Sequence, residues 1–549
     1  MLLMECKNIK KYFGNRKILE IESLKIYSED RIGIVGVNGA GKTTLTNIIN
    51  QRNQADEGIV KLYGKASYVS QLEEPENKSI NSRMSSKFGA PSLWKENMSG
   101  GEKTRFKLAE AFSDNTDLLF ADEPTSNLDI EGIELIEKIF AEYKGALVII
   151  SHDRDFLDKV CNKIWELEDG KVKIYNGNFS EYYSQKAEEL KRNEFEYEEY
   201  IKEKKRLEDV ILESKQKVKS IRKTPKRMGN SEARLHKMGG QKAKATIERA
   251  VKNVEKRIEN LEIKEKPKVK ENINVDISEE SKLYSRIILE GYNIRKKFNN
   301  KIIFDNAEFK IYNGSKVALI GSNGCGKSTL IKMIMNNDFA IKITQKAKIG
   351  YFSQDMSILD EELSIIENVM KDSIYDETFS RILLSRLLFK REDIYKNVSV
   401  LSGGEKVKVS LAKILLSDIN MLILDEPTNY MDIASLQAVE SALKEYGGTL
   451  LFVSHDRRFI ESIADEIMVI ENNKIINFKG RYDEYLARKD KSSHEDNKHI
   501  KNEILILQNR MSEIIGRLSA PSKKDDIKAL DKEYNILVEK IKALKEALK

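Results

Sequence analysis

The chain repeats itself. GVNGAGKTT at 36–44 returns as GSNGCGKST at 321–329, and MSGGEK at 98–103 returns as LSGGEK at 401–406. LLFADEPTSNLD at 118–129 returns as LILDEPTNYMD at 422–432, and VIISHDRDF at 148–156 as LFVSHDRRF at 451–459. The spacing is nearly rigid. Lys42 to Lys327 is 285 residues and Gln71 to Gln354 is 283, while Ser99 to Ser402, Asp122 to Asp425 and His152 to His455 are each 303. The copies differ in one interval, between the glutamine and the SGGEK stretch, which is 27 residues long in the first and 47 in the second. A duplication in register settles the architecture before any single element is read. It predicts two copies of one α/β domain at 1–183 and 284–488, a linker at 184–283 between them, and a charged tail at 489–549.

Composition narrows the class. The 549 residues exceed one domain, and 40% hydrophobic with 33% charged residues suits soluble domains with real cores. No run reaches the roughly 18 apolar residues of a membrane helix, and MLLMECKNIKKYFGN turns charged too early for a secretory signal. Cys6, Cys161 and Cys325 are scattered, without CxxC spacing, so neither a disulfide framework nor a zinc site is expected. A cytoplasmic protein with no membrane partner fits.

Each repeated motif carries chemistry. G-x-x-x-x-G-K-[ST] follows apolar RIGIVG (31–36) and precedes helical TTLTNIIN (43–50), and KVALIG (316–321) with STLIKMIM (328–335) repeats that arrangement. Glycines there let backbone N–H groups approach phosphates, the lysine reaches the terminal phosphates, and the hydroxyl holds Mg²⁺. The expected nucleotide residues are Gly36, Asn38, Gly39, Gly41, Lys42, Thr43 and Thr44, and Gly321, Asn323, Gly324, Gly326, Lys327, Ser328 and Thr329. Asp122 and Asp425 end apolar strand-like runs, as an aspartate that helps hold Mg²⁺ does. Glu123 and Glu426 come next, placed to polarise an attacking water. His152 and His455, each 30 residues beyond its aspartate, are expected at the γ-phosphate. Gln71 and Gln354 fit a role at Mg²⁺ and water. Phe13 and Phe298 either stack on adenine or belong to the core.

P-loop, glutamine, SGGE, DEPT-x-x-x-D and SHD together resemble the ATP-binding-cassette ATPases. The resemblance implies that the signature of one cassette caps ATP held by the other. Lys42 would then work with Ser402, Gly403 and Gly404, and Lys327 with Ser99, Gly100 and Gly101, with Asp129 and Asp432 in the D-loops. Two ATP molecules and Mg²⁺ are implied, in a monomer whose own cassettes form the sandwich. Amides at a helix start suit an anion, which gives the signature a physical reason.

Between the cassettes a heptad runs through Leu190, Tyr197, Ile211 and Val218, with Tyr200, Leu207 and Ile221 on the second position. Ile247, Val251, Val254, Ile258 and Leu261 resume it, which predicts a helical hairpin broken at 224–240 by Pro225, Gly229, Gly239 and Gly240. Residues 211–250 hold twelve Lys/Arg against three Asp/Glu in a chain of net charge +6, the electrostatic footprint of phosphate binding. The tail shows apolar steps at Ile504, Leu507, Met511, Ile514 and Leu518, then Leu530, Tyr534, Leu537, Ile541 and Leu544, a second hairpin.

Two cassettes on one chain, a helical linker and no membrane span resemble the ABC-F class. The short 27-residue interval, which leaves no arm in the first cassette, and GNFSEY (177–182) are similar to its Vga/Lsa-type antibiotic-resistance branch. That resemblance implies binding at the E site of the 70S ribosome, with the linker tip beside large-subunit rRNA and P-site tRNA, near the peptidyl-transferase centre. The drugs implied are lincosamides, streptogramin A and pleuromutilins. The tip contacts would be Arg222, Lys223, Lys226, Arg227, Arg234, Leu235, His236, Lys237, Met238, Lys242 and Lys244, with Leu235–Met238 deepest. Alternatives are an arm-less housekeeping translation factor and a transporter's nucleotide-binding subunit. A coiled-coil DNA ATPase would place its coil inside a cassette, and an excinuclease subunit would need zinc cysteines.

Overall fold

The structure is a computed structural model that describes residues 1–71, 73–113, 116–220, 230–261, 285–298, 301–353, 358–519 and 527–547. It divides into two compact units. One holds Met1–Glu73, Asp114–Pro124 and Phe140–Ile273, and the other holds Glu74–Ser113, Thr125–Ile139 and Asn274–Lys549. This division does not follow the sequence repeat. The signature and D-loop segments of the first copy belong with the second.

The first unit is built on a six-stranded sheet in the order Ala66–Val69, Leu118–Asp122, Ala146–Ile150, Arg31–Val35, Lys163–Glu168, Lys171–Asn176. All pairings are parallel except the last, which is antiparallel. Every residue of Leu118–Asp122 and Ala146–Ile150 is buried, as befits parallel strands covered on both faces. A three-stranded antiparallel sheet, Arg16–Tyr27, Leu2–Phe13 and Glu57–Leu62, packs with it around Leu3, Ile9, Leu45, Phe120 and Trp165.

The second unit repeats the plan. Its large sheet runs Ile349–Phe352, Met421–Asp425, Thr449–Val453, Lys316–Ile320, Glu466–Glu471, Lys474–Lys479, and its small sheet Lys301–Tyr312, Ile287–Phe298, Ile341–Ile343. Equal order in both copies puts each P-loop strand at the centre of its sheet, with the histidine strand beside it and the aspartate strand next beyond that. The three motifs therefore meet at one sheet edge, beyond the carboxyl ends of the strands, where open α/β sheets bind ligands.

The linker departs from its sequence reading at both ends. Its first helix is Phe179–Ser220, starting before the expected linker boundary at 184. Asn178 and Glu181 cap it reciprocally: the Asn178 side chain accepts from the Glu181 amide at 3.0 Å, and the Glu181 carboxylate from the Asn178 amide at 3.0 Å. The second helix is Asn230–Glu259 and passes straight through Gly239 and Gly240, so these two glycines do not break it. Each costs about 1 kcal/mol against alanine; the strong helix formers of AKATIERAVKNVEKRIE after them offset that. Pro225 and Gly229 lie outside the described residues. Where the helices pack, Leu207 and Val251 are buried and Ile211, Val254 and Ile258 half-buried, whereas Leu190 is exposed. Lys215–Glu255 and Arg257–Glu203 pair across them, at 3.2 and 3.5 Å. The tail forms Tyr482–Ser519 and Ile527–Ala547, which close on Ile514 and Leu537. Among the described residues no helix is long and apolar enough to cross a membrane.

Candidate nucleotide sites

Each P-loop is a turn of left-handed glycines between strand and helix. Gly39 and Gly41 sit at φ +78° and +103°, Gly324 and Gly326 at +73° and +116°. Only glycine holds such angles without strain. Lys42 donates to the carbonyls of Gly36 at 2.7 Å and Val37 at 3.3 Å, and Lys327 to those of Gly321 at 2.7 Å and Ser322 at 3.2 Å. Both ammonium groups are folded back over the loop, where a phosphate would sit. Asn38 and Asn323 lie within these loops, and Thr44 and Thr329 in the first turns of the helices Lys42–Ile49 and Lys327–Met335.

The acidic pairs follow. Thr43 donates to Asp122 at 3.0 Å and Tyr68 to the same oxygen at 3.4 Å; Ser328 donates to Asp425. Burial raises both aspartates above the usual carboxylate range, against these hydrogen bonds. A hydroxyl on a buried aspartate at a phosphate loop is the oxygen donor set that Mg²⁺ takes, so Thr43 with Asp122 and Ser328 with Asp425 fit that ion. Glu123 and Glu426 adopt φ +50° and +51°, an uncommon angle for glutamate. Their amides are pinned to Ile150 and Val453 across the neighbouring strands, at 2.8 and 3.1 Å. Burial pushes Glu123 up to about 8 and Glu426 to about 7. The Oε1 atom of each is buried without a hydrogen-bond partner, and the imidazole Nε2 of His152 lies 3.6 Å from the first and that of His455 3.2 Å from the second. A buried carboxylate kept unsatisfied at the loop mouth is poised to accept from a water. Burial also drives His455 down to about 3, with Lys327 adding to it, so its imidazole is neutral.

The signatures are capping boxes. Ser402 caps Gly403–Leu415, accepting from the Glu405 amide while Glu405 accepts from the Ser402 amide and hydroxyl. Ser99 and Glu102 do the same for Gly100–Ser113. SGGE is therefore a helix-start code, leaving the amides of Gly100, Gly101, Gly403 and Gly404 at helix N-termini.

One composite site lies wholly inside the second unit. The Asn323 amide donates to Asp129 at 2.8 Å, and the Asn323 side chain donates to the Asn127 carbonyl at 3.0 Å. A Cβ on Gly101 would stand 3.5 Å from that same side chain. The first copy's signature and D-loop thus meet the second copy's P-loop. Asp129 also takes the Gly132 amide at 2.9 Å; burial raises it, but these two amides together with nearby positive charge such as Arg105 hold it low. Asp432 accepts from the Ser435 amide at 2.8 Å, capping the helix Ile433–Glu445.

Other predicted residues are placed less tightly. Phe13 and Phe298 are 60% and 53% exposed at the ends of their strands, which rules out the core reading and leaves both rings free to stack. Gln71 is exposed on the loop after Ala66–Val69, and Gln354 lies outside the described residues. Arg222, Lys223, Lys226 and Arg227 also lie outside them. So do the side chains of Arg234, Leu235, His236, Lys237, Met238 and Lys242, although their backbone is helical; Lys244 is exposed on that helix. Sequence reading missed Arg457, buried and paired with Glu137, with Glu134 at 3.9 Å. Its signal was present: the arginine after SHD occurs in both copies, at Arg154 and Arg457.

The comparisons bear on the same residues. A family model described as ABC transporter matches residues 19–96 and 304–429, and a second of that description matches 165–276. The erythromycin resistance ATP-binding protein MsrA of Staphylococcus epidermidis is 33% identical over 84% of this chain and 97% of its own length. The ribosome protection protein VmlR of Bacillus subtilis is 30% identical over 98% of this chain and 97% of its own. The chain belongs to the ABC-F family of ATPases. Among solved structures, an RNase-L inhibitor superposes with TM-score 0.59, covering 88% of this chain and 93% of its own, at 19% identity. That likeness shows the tandem-cassette fold alone. This ABC-F chain hydrolyses ATP, and both its centres keep lysine, aspartate, glutamate and histidine.

Proposed function

We propose that this ABC-F ATPase binds the ribosome in its ATP-bound form, in the E site of the large subunit, and protects it from drugs near the peptidyl-transferase centre. The linker tip, 222–244, would contact rRNA and P-site tRNA through phosphates, positioning rather than reading sequence. The observation that carries the reading is Asn323 bonded to Asp129 and Asn127: one cassette's D-loop and signature against the other's P-loop is the arrangement in which a nucleotide joins the cassettes. A ligand shifts a conformation only through differential affinity, and a nucleotide held by both partners supplies it. Bound Mg²⁺ would neutralise developing phosphate charge, held by Thr43 with Asp122 and Ser328 with Asp425. Lys42 and Lys327 bind and orient the phosphates, and Glu123 and Glu426 take the proton of the attacking water. His152 and His455 orient the γ-phosphate side, and hydrolysis releases the ribosome. By the family resemblance, Lys42 would work with Ser402, Gly403 and Gly404. Support for the ribosome comes from the names of two relatives, one a resistance protein and one a ribosome protection protein.

A Glu123→Gln, Glu426→Gln double variant should bind ATP and co-sediment with ribosomes. Its sedimenting free of ribosomes with ATP present ends this reading. Expression in a susceptible host, scored against lincosamide, streptogramin A, pleuromutilin and erythromycin, tests the drug role. Unchanged susceptibility to all four, with ribosome binding intact, leaves a housekeeping factor.

A further inference from the structure

We propose that Glu166 is a positioning residue that ties the root of the linker helix to the first cassette's nucleotide loop. Glu166 lies on the strand Lys163–Glu168, which pairs in parallel with the P-loop strand and places Glu166 opposite Val35, one residue before Gly36. At Gly36 the two strands touch so closely that a Cβ would fall 2.5 Å from the Leu167 carbonyl. The Gly36 carbonyl in turn holds Lys42 at 2.7 Å. From the phosphate-binding lysine to Glu166 the path is therefore backbone in direct contact.

On its other side Glu166 faces the linker. It is buried to 6% exposure, and its oxygens accept from Tyr182 at 2.8 Å, from Tyr175 at 3.2 Å and from Lys186. Tyr182 and Lys186 stand one turn apart on the helix Phe179–Ser220, in its first two turns. Burial and the neighbouring carboxylate raise both phenols, so they act as donors. Tyr182 and Lys186 hold Glu166 from the helix, while the single hydroxyl proton of Tyr175 is shared with Glu189 at 3.1 Å; a shift of the helix that breaks this arrangement leaves a buried charge uncompensated.

The second copy lacks the device. GNFSEYYSQK (177–186) returns as GRYDEYLARK (480–489), so the helix start is repeated. Yet Glu166 is replaced by Val469 and Tyr175 by Phe478. Lys489, the counterpart of Lys186, pairs with Glu131 at 3.4 Å. The carboxylate occurs only in the copy whose outgoing helix leads to the other cassette.

The test is hydrogen–deuterium exchange on the full chain, with and without ATP and Mg²⁺, in the Glu123→Gln, Glu426→Gln background. It needs ATP at 36–44 but no ribosome, so it can fail while the ribosome reading stands. In the parent, ATP should slow exchange both in Lys42–Ile49 and in the root at 182–190. In Glu166→Val, Lys186→Met, which removes both charges together, slowing at Lys42–Ile49 should persist and the response at the root should be lost. Tyr182→Phe keeps the ring and removes one donor; it should weaken the root response in a folded protein, and it decides the matter if the double variant does not fold. A root that ignores ATP in the parent, or answers it fully in the variants, overturns the proposal.

Discussion

The two nucleotide centres have the same backbone and different neighbours. Lys42, Asp122 and Glu123 superpose in role on Lys327, Asp425 and Glu426, down to the left-handed glutamates. Around them the copies diverge. The D-loop of the first reads Ser126-Asn127-Leu128, that of the second Asn429-Tyr430-Met431. Asn127 is left-handed at φ +61°, an angle asparagine tolerates, and its carbonyl serves Asn323. Tyr430 holds φ +66° with a bulky side chain that is 65% exposed. The lesson is that the groups expected at phosphate and water are the same in both copies, while the groups that join the parts differ.

The largest expected effect is on turnover. Glu426→Gln and Glu123→Gln should each lower ATP hydrolysis in single-turnover assays, and the pair together by about 10²–10⁴-fold, the usual contribution of a general base. Unequal single losses would show that the centres are no longer equivalent. Next is the Arg457–Glu137 pair. Removing one partner leaves a buried charge, so Arg457→Met should destabilise by about 3–5 kcal/mol, and Arg457→Met, Glu137→Leu should recover most of that in thermal unfolding. Full stability of the single variant would mean the pair is solvated.

How much of this was legible in sequence depends on distance along the chain. Residues that act on phosphate were readable because their spacing is local and doubled: a glycine turn needs its glycines, and SGGE is a capping box whichever cassette holds it. Family resemblance set Ser99, Gly100 and Gly101 against the P-loop of Lys327, but the bond between Asp129 and Asn323 was not read, since no periodicity links positions 194 residues apart. The straight run through Gly239 and Gly240 was misread because two glycines look like a breaker, although a 30-residue helix outweighs them. The network at Glu166 was missed because its residues look like an ordinary strand and an amphipathic helix. Only setting Glu166 against Val469 exposes it.

Smaller effects separate the D-loops. Asp432→Ala removes a cap and should cost about 1 kcal/mol in denaturant unfolding. Asp129→Ala removes a cap and the Asn323 contact, so it should cost more and also raise the KM for ATP; equal effects of the two would erase the distinction. The smallest is Tyr430→Asn, which installs the residue of the first copy. Relief of the left-handed tyrosine should stabilise the protein by about 1 kcal/mol, read as a slightly higher Tm.

The division of the first cassette between two units has a consequence for synthesis. Asp129 awaits Asn323 and Glu137 awaits Arg457, which follows it by 320 residues. At about 5–20 residues per second, that second wait is roughly 16–64 s of translation. For that time the stretches 99–113 and 125–139 have been made while the rest of their unit is still messenger. A nascent chain of this protein spends most of its birth with a finished catalytic sheet and an unfinished neighbour, and that interval is when a chaperone would find it.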